Sequence, residues 1–256
     1  MNTSHEPVAG RPEADKVRSM FSQIAGRYDL ANNVLSGGVH HLWRTKLVDW
    51  SGAKPGDKIL DCATGTGDLA IQFKSVVGPT GDVTGTDFCA EMMGPAPGKA
   101  EDRGLQIKFE QADVMNLPYE DATFDISSIS FGIRNVSDPQ KGISELARVV
   151  KPGGHVMILE FGQPENSGFA KASGFAQAYK LYSEKVLPTL GGWITGKKSA
   201  YEYLQNSSAQ FPCREEFVAL MRATGRFSSI EYVPVTFGVA YLYKGVVKTE
   251  TSTDLT

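Results

Sequence analysis

Cysteine is scarce: three residues in 256, at Cys62, Cys89 and Cys213, with no Cys-x-x-Cys pair. An odd, scattered set argues against a disulfide framework and a zinc module, and fits a reducing, cytoplasmic setting. No uncharged apolar run approaches the ~20 residues that cross a bilayer. A cationic excess is missing too, since 26 Lys and Arg stand against 29 Asp and Glu, for a formal charge of −3. Without a basic face there is no counterion-release footprint, so no nucleic-acid partner is expected. Residues 1–11 are polar and include His5, Glu6 and Pro7, unlike a secretory leader. No repeat of solenoid or propeller period is found. What remains is 41% apolar, 10% aromatic and 21% charged residues, a globular composition able to bury its core without staples.

Val17, Met20, Phe21, Ile24 and Tyr28 recur at three- and four-residue spacings. Val39, Leu42, Trp43, Leu47 and Trp50 follow the Gly37-Gly38 break, and residues 12–50 are predicted helical. After Lys54-Pro55-Gly56-Asp57, short apolar runs alternate with helical stretches. Strands are predicted at 58–63, 82–87, 107–111, 124–130 and 155–161, and helices at 68–77, near 99–103 and at 139–150. Such alternation indicates an α/β fold with a doubly wound, mostly parallel sheet. Residues 166–224 read as helices at 176–187, 199–206 and 214–224. The last two β-rich runs, 228–235 and 239–247, are too close for a helical crossover and should pair antiparallel at the sheet edge, giving seven strands. One domain is expected: a helical cap (12–50), a core (51–162), a helical insertion (163–226), an edge hairpin (227–248) and a polar tail (249–256).

The first strand runs into Thr64-Gly65-Thr66-Gly67-Asp68, where two glycines let the backbone turn sharply beside a ligand. Asp87 ends the second strand, 22 positions after Gly65, where a carboxylate can accept from both hydroxyls of a ribose. A tight turn and a capping Asp would satisfy either feature alone; together they favour a nucleoside site. Gly65-Thr66-Gly67-Asp68-Leu69-Ala70 also fits the dinucleotide fingerprint. Asp68 would repel a pyrophosphate on the helix N-terminus, and Asp61 adds a second acid. Acids suit an amine and a sulfonium, so the charge pattern favours S-adenosylmethionine over a dinucleotide. Asp113, in Gln111-Ala112-Asp113-Val114, can accept from an adenine amino group while Val114 packs on the ring. Lys151-Pro152-Gly153-Gly154 reads as a turn.

Leu60-Asp61-x-x-x-Gly65-x-Gly67, Asp87, Asp113, Phe124-Asp125 and Lys151-Pro152-Gly153-Gly154 resemble class I S-adenosylmethionine-dependent methyltransferases, with their Rossmann-like fold. Phe21-Ser22-Gln23-Ile24-Ala25-Gly26-Arg27-Tyr28-Asp29, Asn32-Asn33 and Ser36-Gly37-Gly38-x-His40-x-x-Trp43-Arg44 narrow the resemblance. They are similar to the quinone C-methyltransferases of ubiquinone and menaquinone biosynthesis. Ser130-Phe131-Gly132-Ile133-Arg134-Asn135-Val136, Leu159-Glu160-Phe161, Tyr182, Leu187-Pro188 and Tyr201-x-Tyr203-Leu204 continue the match to about residue 247. Gly94-Pro95-Ala96-Pro97-Gly98 departs from it, because two prolines and two glycines in five residues oppose a regular helix.

The resemblance implies a polyprenylated quinol as substrate and methyl transfer to one of its ring carbons, with no metal. It implies donor contacts from Asp61, Gly65, Thr66, Gly67, Asp87, Asp113, Val114, Ser130 and Tyr28, and substrate contacts from Asn135, His40 and Tyr182. Arg134, at the C-terminal edge of the fourth strand, is the candidate catalytic residue: its guanidinium can steady a quinol phenolate. Pairing with Asp125 or Asp138 is its bland alternative. Tyr179, Tyr182, Trp193, Phe169, Phe175 and Leu190 are candidates for an isoprenoid channel. A membrane-bound tail implies peripheral contact with the inner membrane face through residues 168–198, where Lys171, Lys180, Lys197 and Lys198 add positive charge. A homo-oligomer is compatible with the sequence. A methyltransferase of a soluble small molecule, an NAD-dependent oxidoreductase and a non-catalytic member of a quinone-synthesis assembly are the alternatives.

Overall fold

The computed structural model describes residues 14–164 and 174–249. Three helices lead: α1 (Ala14–Ile24), α2 (Tyr28–Ser36) and α3 (Val39–Ser51). The core then alternates β1 (Lys58–Cys62), α4 (Asp68–Val77), β2 (Asp82–Asp87), α5 (Ala90–Met93), α6 (Ala96–Glu101), β3 (Lys108–Gln111), β4 (Phe124–Ser130), α7 (Pro139–Arg148) and β5 (Val150–Phe161). Helices α8 (Phe175–Leu181), α9 (Leu187–Thr195), α10 (Lys198–Gln210) and α11 (Glu215–Ala223) precede β6 (Phe227–Val235) and β7 (Ala240–Val247).

The strands form one seven-stranded sheet in the order β3-β2-β1-β4-β5-β7-β6. The first five are parallel, and β7 runs antiparallel to both β5 and β6. Period-two alternation sends neighbouring side chains to opposite layers. Leu60, Ile129 and Ile158 join the layer that contains Ile143, Leu146, Phe217 and Met221 of α7 and α11. Ile59, Met157 and Leu159 join Leu47, Leu69 and Phe73 of α3 and α4. Burial on both faces explains the unbroken apolar run Val156-Met157-Ile158-Leu159, each residue fully buried. A third cluster, with Ile24, Ala31, Ala200 and Tyr201 at its heart, joins the leading helices to the insertion above the sheet.

The expected fold class and antiparallel end are as observed; the departures are local. The Gly94–Gly98 stretch splits the helix in two, yet Gly94 and Pro95 keep helical dihedrals and α6 starts at Ala96 with Pro97 in its first turn, where proline's missing N–H costs nothing. The Lys151-Pro152-Gly153-Gly154 turn lies inside β5, with Gly153 at φ +79° and a register shift against β4 between Phe124 and Ile126. The expected helix 176–187 continues through a π-helical turn, Tyr182–Val186, into α9. Gly191 and Gly192 obscured α9 in the sequence. A Cβ on Gly191 would stand 2.5 Å from the Tyr201 ring, so glycine is what lets α9 and α10 touch. The tail beyond Thr249 and residues 1–13 lie outside the described residues.

Candidate active site

Two adjoining cavities open at the C-terminal edge of the parallel strands, where open α/β sheets bind ligands. The first, of about 130 Å³, lies over the glycine loop; the second, of about 230 Å³, lies between the leading helices and the insertion. Phe21, Tyr28 and Phe131 line both. Phe131 holds a left-handed backbone, φ +56°, a conformation costly for an aromatic residue and often found at functional sites.

The smaller cavity gathers Gly65, Asp87, Asp113, Val114, Ser130 and Tyr28, six of the nine residues expected at the donor. Asp87 is fixed by its own backbone neighbourhood: Gly65 N–H donates to Oδ2 and Cys89 N–H to Oδ1, each at 2.9 Å. Burial nevertheless raises its pKa to about 6. Asp113 Oδ1 accepts from the Met115 N–H at 2.9 Å. Ser130 Oγ is buried with no hydrogen-bond partner, an orphaned polar atom in the wall.

Asp61, Thr66 and Gly67 act behind this wall rather than on it. Asp61 is 1% exposed and accepts from Thr64 and Ser128 hydroxyls, both at 2.7 Å; burial raises its pKa to about 6. Gly67 has φ +83°, and a Cβ there would meet Ala96 at 2.8 Å and the Phe109 ring at 3.2 Å. Thr66 Oγ1 donates to Asp29 Oδ1 at 2.6 Å, tying the loop to α2. Lys99, from α6, bonds Asp29 and Thr66 at 2.9 and 3.2 Å and forms a short contact with Asp68. Desolvation would raise Asp68, but the Lys99 hydrogen bond and the Arg44 charge hold it below its ordinary value. The acid count read from the sequence is therefore corrected. Asp68 is neutralised and Asp61 points into the fold, leaving Asp87 and Asp113 as the acids of the cavity.

The larger cavity is apolar, with Ile24, Leu35, Trp43, Phe161 and Leu187 among its walls, and it holds two arginines. Arg134 is 5% exposed. Its partner is neither Asp125 nor Asp138 but Glu160 on β5: Nη1 donates to Oε1 at 2.6 Å and to the Phe131 carbonyl at 2.6 Å. Its Nε is buried and unpartnered, and its guanidinium lies 5.3 Å from the Phe161 ring centroid. Arg44 sits 5.9 Å over the Phe131 ring and 3.5 Å from Asp68. Both cations thus converge on the wall shared with the smaller cavity, a pairing the sequence did not suggest because Arg44 is remote in the chain.

His40 and Tyr182, expected as substrate contacts, line this larger cavity. Burial, aided by the Arg44 and His41 charges, lowers the His40 pKa to about 4. Tyr182 donates its hydroxyl to the Leu35 carbonyl in a short contact. Asn135 lines the smaller cavity instead, accepting from Tyr203 at 3.1 Å. Of the proposed channel, Phe175 and Tyr179 join Tyr182 in the wall, Trp193 is 84% exposed on the outside, and Phe169 lies outside the described residues. Among the described residues, His40, His41 and Asp68 bring three metal-type donors within 4.8 Å, but Asp68 already carries Lys99 and Arg44.

Solved structures share the fold at low identity. The [4+2]-cyclase SpnF aligns with TM-score 0.66 at 16% identity, over 96% of this chain and all of that one. A SAM-dependent methyltransferase from Aquifex aeolicus aligns with TM-score 0.58 at 18% identity, over 92% and 98%. That one fold carries a cyclase and a methyltransferase means fold alone does not set the reaction. Sequence relatives go further. The ubiquinone/menaquinone biosynthesis C-methyltransferase UbiE of Bdellovibrio bacteriovorus is 61% identical over 93% of this chain and 98% of its own length. The demethylmenaquinone methyltransferase of Thermus thermophilus is 44% identical over 88% and 99%. The profile of the ubiE/COQ5 methyltransferase family matches residues 11–247, which takes in the glycine loop, both arginines and all seven strands, and on that span the chain belongs to this family.

Proposed function

We propose that the protein methylates a ring carbon of a polyprenylated quinol, demethylmenaquinol or the methoxy-benzoquinol precursor of ubiquinone, with S-adenosylmethionine as donor. The observation that carries the reading is the shared wall: an acid-bearing cavity and an arginine-bearing cavity meet at Phe21, Tyr28 and Phe131. The donor chemistry fits the smaller one. Asp87 offers carboxylate oxygens to two ribose hydroxyls, Asp113 and Val114 suit an adenine, and Ser130 has an unmet hydrogen bond. When bound, the donor supplies an electrophilic methyl group on a sulfonium.

In the larger cavity the residues orient a ring and steady negative charge. An oxidised quinone is electron-poor; a quinol that loses a hydroxyl proton becomes an enolate with a nucleophilic ring carbon. The Arg134 Nε, buried and unpartnered, supplies a preorganised donor for that oxygen, while Glu160 and the Phe131 carbonyl hold the guanidinium still. Apolar walls exclude water and help hold donor and acceptor in register. In this division of labour, residues 12–50 form the cap, 51–162 the donor core and 163–226 the substrate side.

We further propose that the insertion meets the membrane. No helix among the described residues is long and apolar enough to cross one. Leu181, Val186 and Trp193 are exposed beside the cavity-lining helices, with Lys185 and Lys197 nearby. Lys180 and Lys198 are matched by Glu184 and Glu202, so apolar burial rather than charge is the larger attraction. The test of the function is methyl transfer from radiolabelled S-adenosylmethionine to demethylmenaquinol. Turnover should require the reduced ring, and equal turnover of quinone and quinol would overturn the mechanism.

A further inference from the structure

Resting on the quinol reading, we infer that His40 is the proton acceptor of the reaction, with Ser36 and the Asn32 carbonyl fixing its tautomer. The inference starts from hydrogens. Ser36 Oγ lies 2.7 Å from the Asn32 carbonyl, which can only accept, so the serine hydroxyl proton points there. The same Oγ lies 2.5 Å from His40 Nδ1. With its proton committed, Oγ can only accept in that contact, so the hydrogen belongs to Nδ1. A neutral imidazole protonated at Nδ1 carries its lone pair on Nε2. All three residues line the apolar cavity.

His40 shares its helical face with Trp43 and Arg44, one turn on, which stand 6.1 and 5.9 Å from the Phe131 ring. That places it near the wall where the two cavities meet. Arg44, His41, Asp68 and Asp29 surround it; Arg44 and the neighbouring His41 ring oppose protonation and the two carboxylates favour it. Burial and the Arg44 charge prevail, so the ring is neutral at physiological pH with its lone pair available.

The step balances simply. The quinol O–H bond breaks and its proton passes to Nε2, leaving the electron pair on oxygen. The ring carbon then bonds the methyl group as the sulfur–methyl bond breaks, giving S-adenosylhomocysteine. Loss of the hydrogen from that carbon restores the aromatic ring. As the ring oxygen regains a proton, one proton in total is released to solvent. Arg134 stabilises the oxyanion, and His40 gives the proton somewhere to go.

Two measurements decide it. ¹⁵N spectra of the protein labelled in its imidazoles should show His40 neutral, with a protonated Nδ1 and an unprotonated Nε2; a protonated Nε2 would overturn the inference. In turnover, His40→Ala should lower kcat by about 10²–10³, within the range for a lost general base, and added imidazole should restore part of it. Donor affinity should hold. Full activity with an unchanged pH profile in His40→Ala would refute the role. Should that variant fail to fold, Ser36→Ala serves. It should release the tautomer, lower kcat with KM unmoved and shift the Nε2 resonance, and an unchanged kcat would count against us. If wild-type protein turns over no quinol at all, the quinol reading fails, while the tautomer result stands apart from it.

Discussion

Asp87 is pulled in two directions, and its pH behaviour follows. Burial raises its pKa to about 6 although two backbone N–H groups favour the anion. Its folded value lies above the unfolded one, so its contribution to stability is complete below the ordinary carboxylate range and is lost as pH rises through about 6. Ribose hydroxyls would add bonds to the anion alone, so donor binding should expel a proton. We expect S-adenosylmethionine affinity to weaken as pH falls below about 6, with proton release visible by calorimetry in buffers of different ionisation enthalpy. Asp87→Ala should weaken donor binding by about 2–4 kcal/mol through lost charge-assisted hydrogen bonds. An unchanged affinity would remove Asp87 from the site.

Arg134 and Glu160 must be tested as a pair. Their side chains are 3% and 2% exposed, so deleting either partner strands a buried charge. Glu160→Ala should therefore destabilise the fold by about 3–5 kcal/mol, read by chemical denaturation. Arg134→Met should lower kcat by about 10²–10³ with donor affinity nearly unchanged, because the guanidinium acts on the acceptor. Single-turnover rates separate these outcomes, and full activity would end the oxyanion assignment.

Among the elements, α6 offers a direct experiment. Gly98 is exposed and helical, and a Cβ there would meet nothing within 4 Å. Gly98→Ala should stabilise by about 0.4–1 kcal/mol, chiefly by restricting the unfolded chain. The melting temperature should rise by about 1–4 °C, and a fall would mean that the split between α5 and α6 needs its flexibility. The same region shows what the sequence could and could not tell. Helix α4 was readable to the residue because Gly67 and Gly78 bracket an apolar periodicity. The α6 helix was not, since proline and glycine propensities are weak beside Ala96 and Ala100 packing into the core. Gly65, Asp87 and Asp113 could be expected in one cavity because a strand end and a loop place them by chain distance alone. The Arg134–Glu160 pair, the Arg44 position and the Ser36–His40 contact depend on side chains meeting across elements, which no local spacing records.

For the whole molecule, the question is where the outer apolar residues go. Trp193 at 84% and Leu181 at 61% exposure have no cover from the described residues, and they flank the helices that wall the larger cavity. Each such side chain, once buried, contributes about 1.5–3 kcal/mol, so Trp193→Asp should reduce vesicle binding roughly ten- to a hundredfold. Flotation with liposomes reads this, and wild-type protein that fails to float at low salt with substrate present would refute the membrane contact.

The sheet order has a different kind of consequence. β7 is the last made of the described strands, yet it lies between β5 and β6, and Tyr241 and Tyr243 are among the largest fully buried side chains. A nascent chain halted before Ala240 therefore carries β5 with one edge unpaired and Glu160, its neighbour across the ladder being Tyr241, open to water. Synthesis must run to about Val247 before the arginine pocket can be shut. Until then the polypeptide presents a long sticky edge to the ribosome's other products, a natural point for a chaperone to hold it.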